Sequence, residues 1–343
     1  MDDTRYMLRC FDLARLGFGT TSPNPSVGAV IVANHRIIGE GHTSPYGGPH
    51  AEVNALRSVR DEDKHLLKTS TIYVTLEPCH HFGKTPPCVD AIIAAEIPKV
   101  VVSIVDPYHK VAGKSIEKLR NNGVEVETGL LEKEARRLIA PFLTNITHQR
   151  AHVVLKFAQS AEGNMGIENQ RVWLSNSVTR RHAHWLRHLA DAILVGTNTV
   201  IADNPTLDTR QYPGKNPVRV VLDRQNRLSA DLKIFAGTQK TIIVSENIGN
   251  IQAENVSYLI IDFSENFWET LLAELYKLSI GILLIEGGSK ILNDVVKHQL
   301  WDEAYMYKTP TSLPNGLLAP KISGQILEEF QLRDNIVQHY SRL

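Results

Sequence analysis

A surplus of positive charge is missing from this sequence: 37 Lys and Arg are matched by 37 Asp and Glu. Polynucleotide binders owe most of their affinity to phosphate contacts from basic residues. The longest local excess, Arg180, Arg181 and then Arg187, is short. This disfavours nucleic acid as a partner. Long apolar runs are also missing, and none approaches the 18 or more residues of a spanning helix, so no membrane partner is expected. The acidic Met1-Asp2-Asp3 start is followed by no apolar signal region. Cysteine is scarce and odd in number: Cys10, Cys79 and Cys88 exclude a disulfide framework and are expected to be reduced. The expected location is cytoplasmic. Internal repeats are absent, and so is the G-x-G-x-x-G fingerprint, which argues against a Rossmann domain.

What remains is ordinary globular composition, 43% hydrophobic and 22% charged over 343 residues, enough for about two domains with their own cores. Strand-like runs at 27–33, 37–41, 71–75, 99–105 and 124–128 alternate with helical patterns at 51–58, 89–95, 115–121 and 132–143. A second series follows, with strands at 152–158, 192–196, 218–222, 241–245, 257–261, 281–285 and 303–308, and helices at 177–189, 266–277 and 289–298. This alternation implies α/β sheets covered on both faces. The boundary falls near residue 146, giving domains 1–145 and 146–343.

His50-Ala51-Glu52 opens a helical pattern, and Pro78-Cys79 and Cys88 follow. One imidazole and two thiols suit three positions around tetrahedral zinc, leaving the fourth for water. Zinc lowers the pKa of such a water to about 7, and Glu52 lies near enough to shuttle its proton without being a ligand. Zinc nucleobase deaminases use H-x-E and P-C-x-x-C in these roles, although here eight residues separate Cys79 from Cys88. Two alternatives stay open: a structural zinc completed by His42, His80 or His81, and no metal at all. Cys10, on the apolar face of its helix, is expected in the core. In the second half, Glu286-Gly287-Gly288-Ser289 stands between a strand and a helix. Such a junction suits close approach of a phosphate-bearing ligand, and a tight turn explains it equally well.

Thr75-Leu76-Glu77-Pro78-Cys79 with Gly83-Lys84-Thr85-Pro86-Pro87-Cys88, Pro23-Asn24-Pro25, Pro49-His50-Ala51-Glu52 and Val111-Ala112-Gly113-Lys114 together resemble the bifunctional riboflavin-biosynthesis deaminase–reductase family. The likeness runs on through Lys156-x-Ala158, Trp173, Arg187, Gly196-Thr197-x-Thr199, Asp203-Asn204-Pro205-x-Leu207 and Arg210. It implies a cytidine-deaminase-like three-layer domain followed by a dihydrofolate-reductase-like α/β domain. The implied activities are zinc-dependent deamination of a phosphorylated diaminopyrimidinone, then NADPH reduction of its ribosyl group to ribityl. An alternative is a deaminase whose second domain only senses a nucleotide.

By the same resemblance, His50, Cys79 and Cys88 hold Zn2+ and Glu52 is catalytic. Asn24 and Lys84 line the deaminase pocket. In the reductase, Lys156, Arg187, Leu207, Arg210 and Glu286 meet substrate, two arginines being suited to grip its phosphate. Ala158, Trp173, Thr199, Asp203, Arg224, Gly288, Ser289, Lys290, Ile291, Leu292, Asn293 and Asp294 line the NADPH site, and a homo-oligomer is implied. The chain departs from the family pattern at Tyr108-His109, at Ala161-Glu162 and at Arg171.

Overall fold

Gly28–Ala33 is six apolar or small residues with no polar face, so as a strand it must be covered on both sides. In the computed structural model it is strand β1, and all six residues are buried. The structure describes residues 2–80, 82, 86–106, 113–168, 170 and 172–342. They form two compact units, Met1–His148 and Gln149–Leu343.

In the first unit α1 (Asp2–Arg15) precedes β1. Then come β2 (Arg36–His42), α2 (Ala51–Ser58), β3 (Thr71–Leu76), α3 (Cys88–Ala94), β4 (Lys99–Ile104), α4 (Lys114–Asn121), β5 (Glu125–Thr128), α5 (Glu132–Leu138) and α6 (Ala140–His148). The sheet runs β2-β1-β3-β4-β5, with β1 antiparallel to both neighbours and β3, β4 and β5 parallel. Asn34 and His35, with φ of 50° and 60°, make the left-handed pair that a two-residue hairpin between twisted strands needs.

Two close approaches set the layers. A Cβ on Gly28 would lie 1.9 Å from the Cys10 carbonyl oxygen of α1. Gly41 pairs with Ala29, so it shares that residue's face, opposite to Gly28. A Cβ on Gly41 would lie 2.3 Å from the backbone of Ala51 and of Ala55 in α2. Helices α1 and α2 therefore cover opposite faces of one sheet, which is the expected three-layer arrangement. Cys10 is fully buried in the core, also as expected.

The second unit contains β6 (His152–Gln159), β7 (Asn164–Gly166), α7 (Ser177–Leu189), β8 (Ala192–Gly196), α8 (Thr197–Asp203), β9 (Val218–Leu222), β10 (Thr241–Ser245), β11 (Val256–Ile260), α9 (Phe267–Lys277), β12 (Ile282–Ile285), α10 (Ser289–Lys297), β13 (Glu303–Lys308), β14 (Leu317–Leu318), β15 (Gln325–Leu332) and β16 (Asn335–Ser341). Its main sheet runs β11-β10-β9-β8-β12-β6-β13-β16-β15. All neighbours from β11 to β13 are parallel, and the hairpin β15–β16 is antiparallel. Side chains alternate between two cores. Val153, Leu155 and Phe157 of β6 join α9 and α10 on one face, while Val154 and Ala158 join the α7 face. Lys156 falls on the α7 face by that alternation.

One local expectation changes, and several elements were not expected. The pattern at 132–143 is two helices, because Ile139 leaves helical geometry and Pro141, which has no N–H, sits in the first turn of α6. Helix α8 and the hairpin β15–β16 had no apolar signature. In the hairpin, β15 is an edge strand whose residues are all exposed or half-buried, so polar residues serve there. No helix among the described residues is long and apolar enough to cross a membrane.

Gly28→Ala is expected to lower the unfolding free energy of the first unit by about 3 kcal/mol, the upper end for overpacking, because backbone is what it meets. Urea denaturation checks this. A loss below about 1 kcal/mol would mean that α1 moves aside freely.

Candidate active sites

In the first unit, three donors come from three places in the chain. His50 is the residue preceding α2, Cys79 follows β3, and Cys88 opens α3. The Asn54 side chain donates to the carbonyls of His42 and Pro49 and to the Ser44 hydroxyl, bracing the segment that delivers His50. The His50 Nδ1 lies 3.4 Å from Cys79 Sγ and 3.3 Å from Cys88 Sγ. All three ligand atoms fall within 4.8 Å of one another. Zinc with N and S ligands at ordinary tetrahedral distances sets them about 3.5 Å apart, so the donor set fits zinc in both chemistry and spacing. Cys79 also accepts from the Cys88 backbone N–H at 3.3 Å. Hydrogen bonding from Cys88 holds the Cys79 thiol down, and the same contact pushes Cys88 up. Among the described residues, His42 and His80 do not join the cluster; His81 lies outside those residues.

Glu52, on the first turn of α2, is 3% exposed, and burial, followed by the nearby Cys79 charge, raises its carboxyl to about 7. Asn24 is half-buried in the turn before β1, its N–H donating to the Thr21 carbonyl at 2.9 Å. Lys84 and Tyr108-His109 lie outside the described residues. Sequence reading passed over Glu77 as a separate residue. It is buried, and its carboxylate accepts from the N–H groups of Asp106, Gly113 and Ser115 and from the Ser115 hydroxyl. Its place inside the Thr75–Cys79 motif was the available signal. Its role as an anchor for the chain beyond β4 needed the fold.

In the second unit, β8 leads outward to β9, β10 and β11, while β12 returns between β8 and β6. Ligand crevices in open parallel sheets form at the carboxyl ends beside such a reversal. Glu286 follows β12, Arg187 lies on α7 and Lys156 on β6. Arg187 meets Glu286 through two hydrogen bonds of 2.8 Å and gives a third, of 3.0 Å, to the Asp208 carbonyl. Burial alone would raise the Glu286 carboxyl; the charges of Arg187 and then Lys156 outweigh it and hold it at about 2. Burial lowers the Lys156 ammonium, with Glu286 opposing and Arg187 reinforcing.

Of the five N–H donors of Arg187, two are thus spent on Glu286 and one on Asp208. Arg210 is exposed and bonded to Thr206 and Asp208. The Leu207 side chain is buried in the α7-side core, so substrate there would meet backbone only.

Between β12 and α10, Gly288 has φ 73°, and Thr199 Oγ1 lies 3.3 Å from where its Cβ would be. A Cβ on Gly287 would sit 2.8 Å from Val195 Cα, so glycine lets this turn press against β8. Thr199 and Gly288 thus come together, with Ala158 half-buried on β6 and Ser289 and Lys290 opening α10. This is a bare backbone cradle of the kind a dinucleotide phosphate fits, so the residues suit NADPH. Four expected side-chain contacts narrow. Leu292 is fully buried in the opposite core, Ile291 packs against that core, Asn293 donates to the carbonyls of Ser289 and Leu318, and Asp294 accepts from Trp268 at 2.7 Å. A helix turns these side chains away in succession. Asp203 ends α8, where Asn204 turns left-handed at φ 41°. Trp173 is 59% exposed beneath the Arg180 guanidinium, and Arg224 is exposed in a pair with Glu246. Glu162 accepts from Ser160, Ser312 and the Leu313 N–H, which gives the departure at 161–162 a structural role. Arg171 lies outside the described residues.

Known proteins agree with both units. Residues 1–104 match the family model of the cytidine and deoxycytidylate deaminase zinc-binding region, and residues 151–341 match the RibD C-terminal domain. The riboflavin biosynthesis protein RibD of Aquifex aeolicus (strain VF5) is 38% identical over 95% of this chain and 92% of its own length. RibD of Escherichia coli (strain K12) is 34% identical over 91% and 89%. A diaminohydroxyphosphoribosylaminopyrimidine deaminase/5-amino-6-(5-phosphoribosylamino)uracil reductase from Thermotoga maritima superposes with a TM-score of 0.91 at 34% identity, covering 100% of this chain and 99% of that one. Acinetobacter baumannii RibD gives 0.90 at 33% identity, with the same coverage.

Glu286 should stabilise the second unit fully above the ordinary glutamate pKa of about 4.3, the contribution being lost as pH falls through about 2. Glu286→Gln should flatten the stability profile across that window. Arg187→Ala, leaving a buried carboxylate without its partner, should cost about 3–5 kcal/mol at neutral pH. Denaturant titrations at several pH values check both.

Proposed function

The chain belongs to the RibD family of bifunctional riboflavin-biosynthesis deaminase–reductases, and on that premise we propose a residue-level course for its two reactions. Residues 1–145 deaminate 2,5-diamino-6-(5-phosphoribosylamino)pyrimidin-4(3H)-one, and residues 146–343 reduce the product to 5-amino-6-(5-phosphoribitylamino)uracil. The observation carrying this is the convergence of His50, Cys79 and Cys88 beside buried Glu52, in a chain that matches its relatives across both units.

In the first reaction, water oxygen bonds to the ring carbon bearing the 2-amino group, the carbon–nitrogen bond breaks, and ammonia leaves. His50, Cys79 and Cys88 would hold zinc, which when bound acts as a Lewis acid toward water at neutral pH. Glu52 takes a proton from the attacking water and returns it to the departing nitrogen. A carboxyl raised toward neutrality by burial suits both halves of that transfer. Asn24 and Lys84 orient the substrate.

In the second reaction, the bond from C1′ to the ribose ring oxygen opens, C1′ takes up a hydride and the freed oxygen takes up a proton. NADPH would supply the hydride when bound, and Gly288–Ile291, Thr199, Ala158, Trp173, Asp203, Arg224 and the backbone of Leu292–Asp294 would hold it. Lys156 places its ammonium at the sugar, and Glu286 orients the substrate. Arg187 fixes Glu286, and Arg210 meets the phosphate. The nucleotide-sensing alternative is not favoured, since relatives named for both activities match the whole chain. The reading includes a cytoplasmic setting and a homo-oligomer, which light scattering checks.

The decisive experiment follows ammonia release and NADPH oxidation together. Wild type should release ammonia and then consume NADPH. Glu52→Ala should do neither, yet should oxidise NADPH at the wild-type rate when given the deaminated intermediate, and should keep one zinc per chain. Ammonia release without NADPH oxidation, even from that intermediate, would refute a working reductase.

A further inference from the structure

A lysine ammonium on a flexible four-carbon stem reacts reproducibly only where something holds it. Among the described residues, Lys156 makes no hydrogen bond or ion pair through its ammonium; the Glu286 carboxylate that faces it is taken by Arg187. What Lys156 does meet is an aromatic ring: its Nζ lies 5.2 Å from the ring centroid of Tyr307. In the parallel register of β6 and β13, Lys156 pairs with Tyr305 and Ala158 with Tyr307. Tyr307 therefore stands two residue pairs farther along, on the same face as the lysine and toward the carboxyl end of β6.

Tyr307 is fully buried, and its hydroxyl lies 2.5 Å from Nδ1 of His182 on α7. Burial, then the charges of Lys156 and His339, hold the His182 imidazole at about 4, and burial pushes the Tyr307 phenol up. Both shifts favour the neutral forms, so one hydrogen bond joins phenol and imidazole, the phenol donating in the tautomer that leaves Nδ1 bare. His182 is itself wedged among Trp185, Tyr305 and Phe330, with ring centroids 4.9, 5.9 and 5.5 Å away. The tyrosine ring is consequently fixed at its far end and presents its electron-rich face to the ammonium.

We propose that Tyr307, tethered by His182, is the positioning residue that holds the Lys156 ammonium for the reduction. This rests on the placement of Lys156 at the reacting sugar proposed above. The test measures reductase kcat with the deaminated substrate, together with the Kd for NADPH, in His182→Ala, Tyr307→Phe, the double variant, His182→Asn and Lys156→Met. Loss of the tether should lower kcat about tenfold, the scale of a cation–π contact, with the NADPH Kd unchanged. Because the two groups act as one unit, the double variant should be no slower than either single variant. His182→Asn, whose amide oxygen can accept in place of Nδ1, should restore most of the rate. Losses that multiply in the double variant, or an asparagine variant as slow as alanine, would overturn the proposal. Lys156→Met separates the two readings. If it keeps the wild-type rate, the placement of Lys156 fails; if it abolishes reduction while His182→Ala is unimpaired, only the tether fails.

Discussion

Both candidate sites depend on one constraint. A parallel strand must end in a segment that crosses back over the sheet, so polar backbone and reactive side chains collect at its carboxyl end. Cys79 follows β3, and Glu77 ties down the chain leaving β4 beside it. Glu286 follows β12, and the Gly287–Gly288 turn lies against Val195 near the end of β8. Helices placed on the sheets supply the remaining groups, His50 and Glu52 from the start of α2 and Arg187 from α7. Missing side chains allow those placements: at Gly41 the backbone of α2 lies against the strand.

The two sites use charge differently. In the first, donor atoms converge at 3.3 and 3.4 Å, so the cluster suits a metal, and burial drives the glutamate beside it toward neutrality. In the second, burial would have the same effect on Glu286, but a bidentate arginine reverses it. Two buried glutamates in one chain thus shift in opposite directions, Glu52 upward and Glu286 downward. The difference lies in whether a guanidinium is within reach.

Much of this could be read before any fold was known. The strands of both sheets up to β13 follow from apolar runs, and the zinc donors from residue type and order. Glu52 was readable because it stands two positions after His50, on the first turn of the helix. In the hairpin β15–β16, β15 was not, because an edge strand facing water needs no apolar run, and β16 was not, because it buries polar Asn335 and Gln338 beside Val337 and Tyr340. Glu77 was not, because four donors from residues 106–115 reach it only through the parallel pairing of β3 and β4.

Composition and motif order were therefore enough for the fold class, the family, the zinc donors and the existence of a reductase half, since those rest on local pattern and residue chemistry. Direction and pairing of side chains were not. A linear match places Arg187, Leu207 and residues 288–294 along a ligand, but helical rotation and core packing send Leu292 inward, and Glu286 takes two donors of Arg187. Likewise, 125 positions separate His182 from Tyr307, and no local signal joins them. Packing α7 onto the sheet brings them into contact, because a buried phenol must find an acceptor on whatever element covers it.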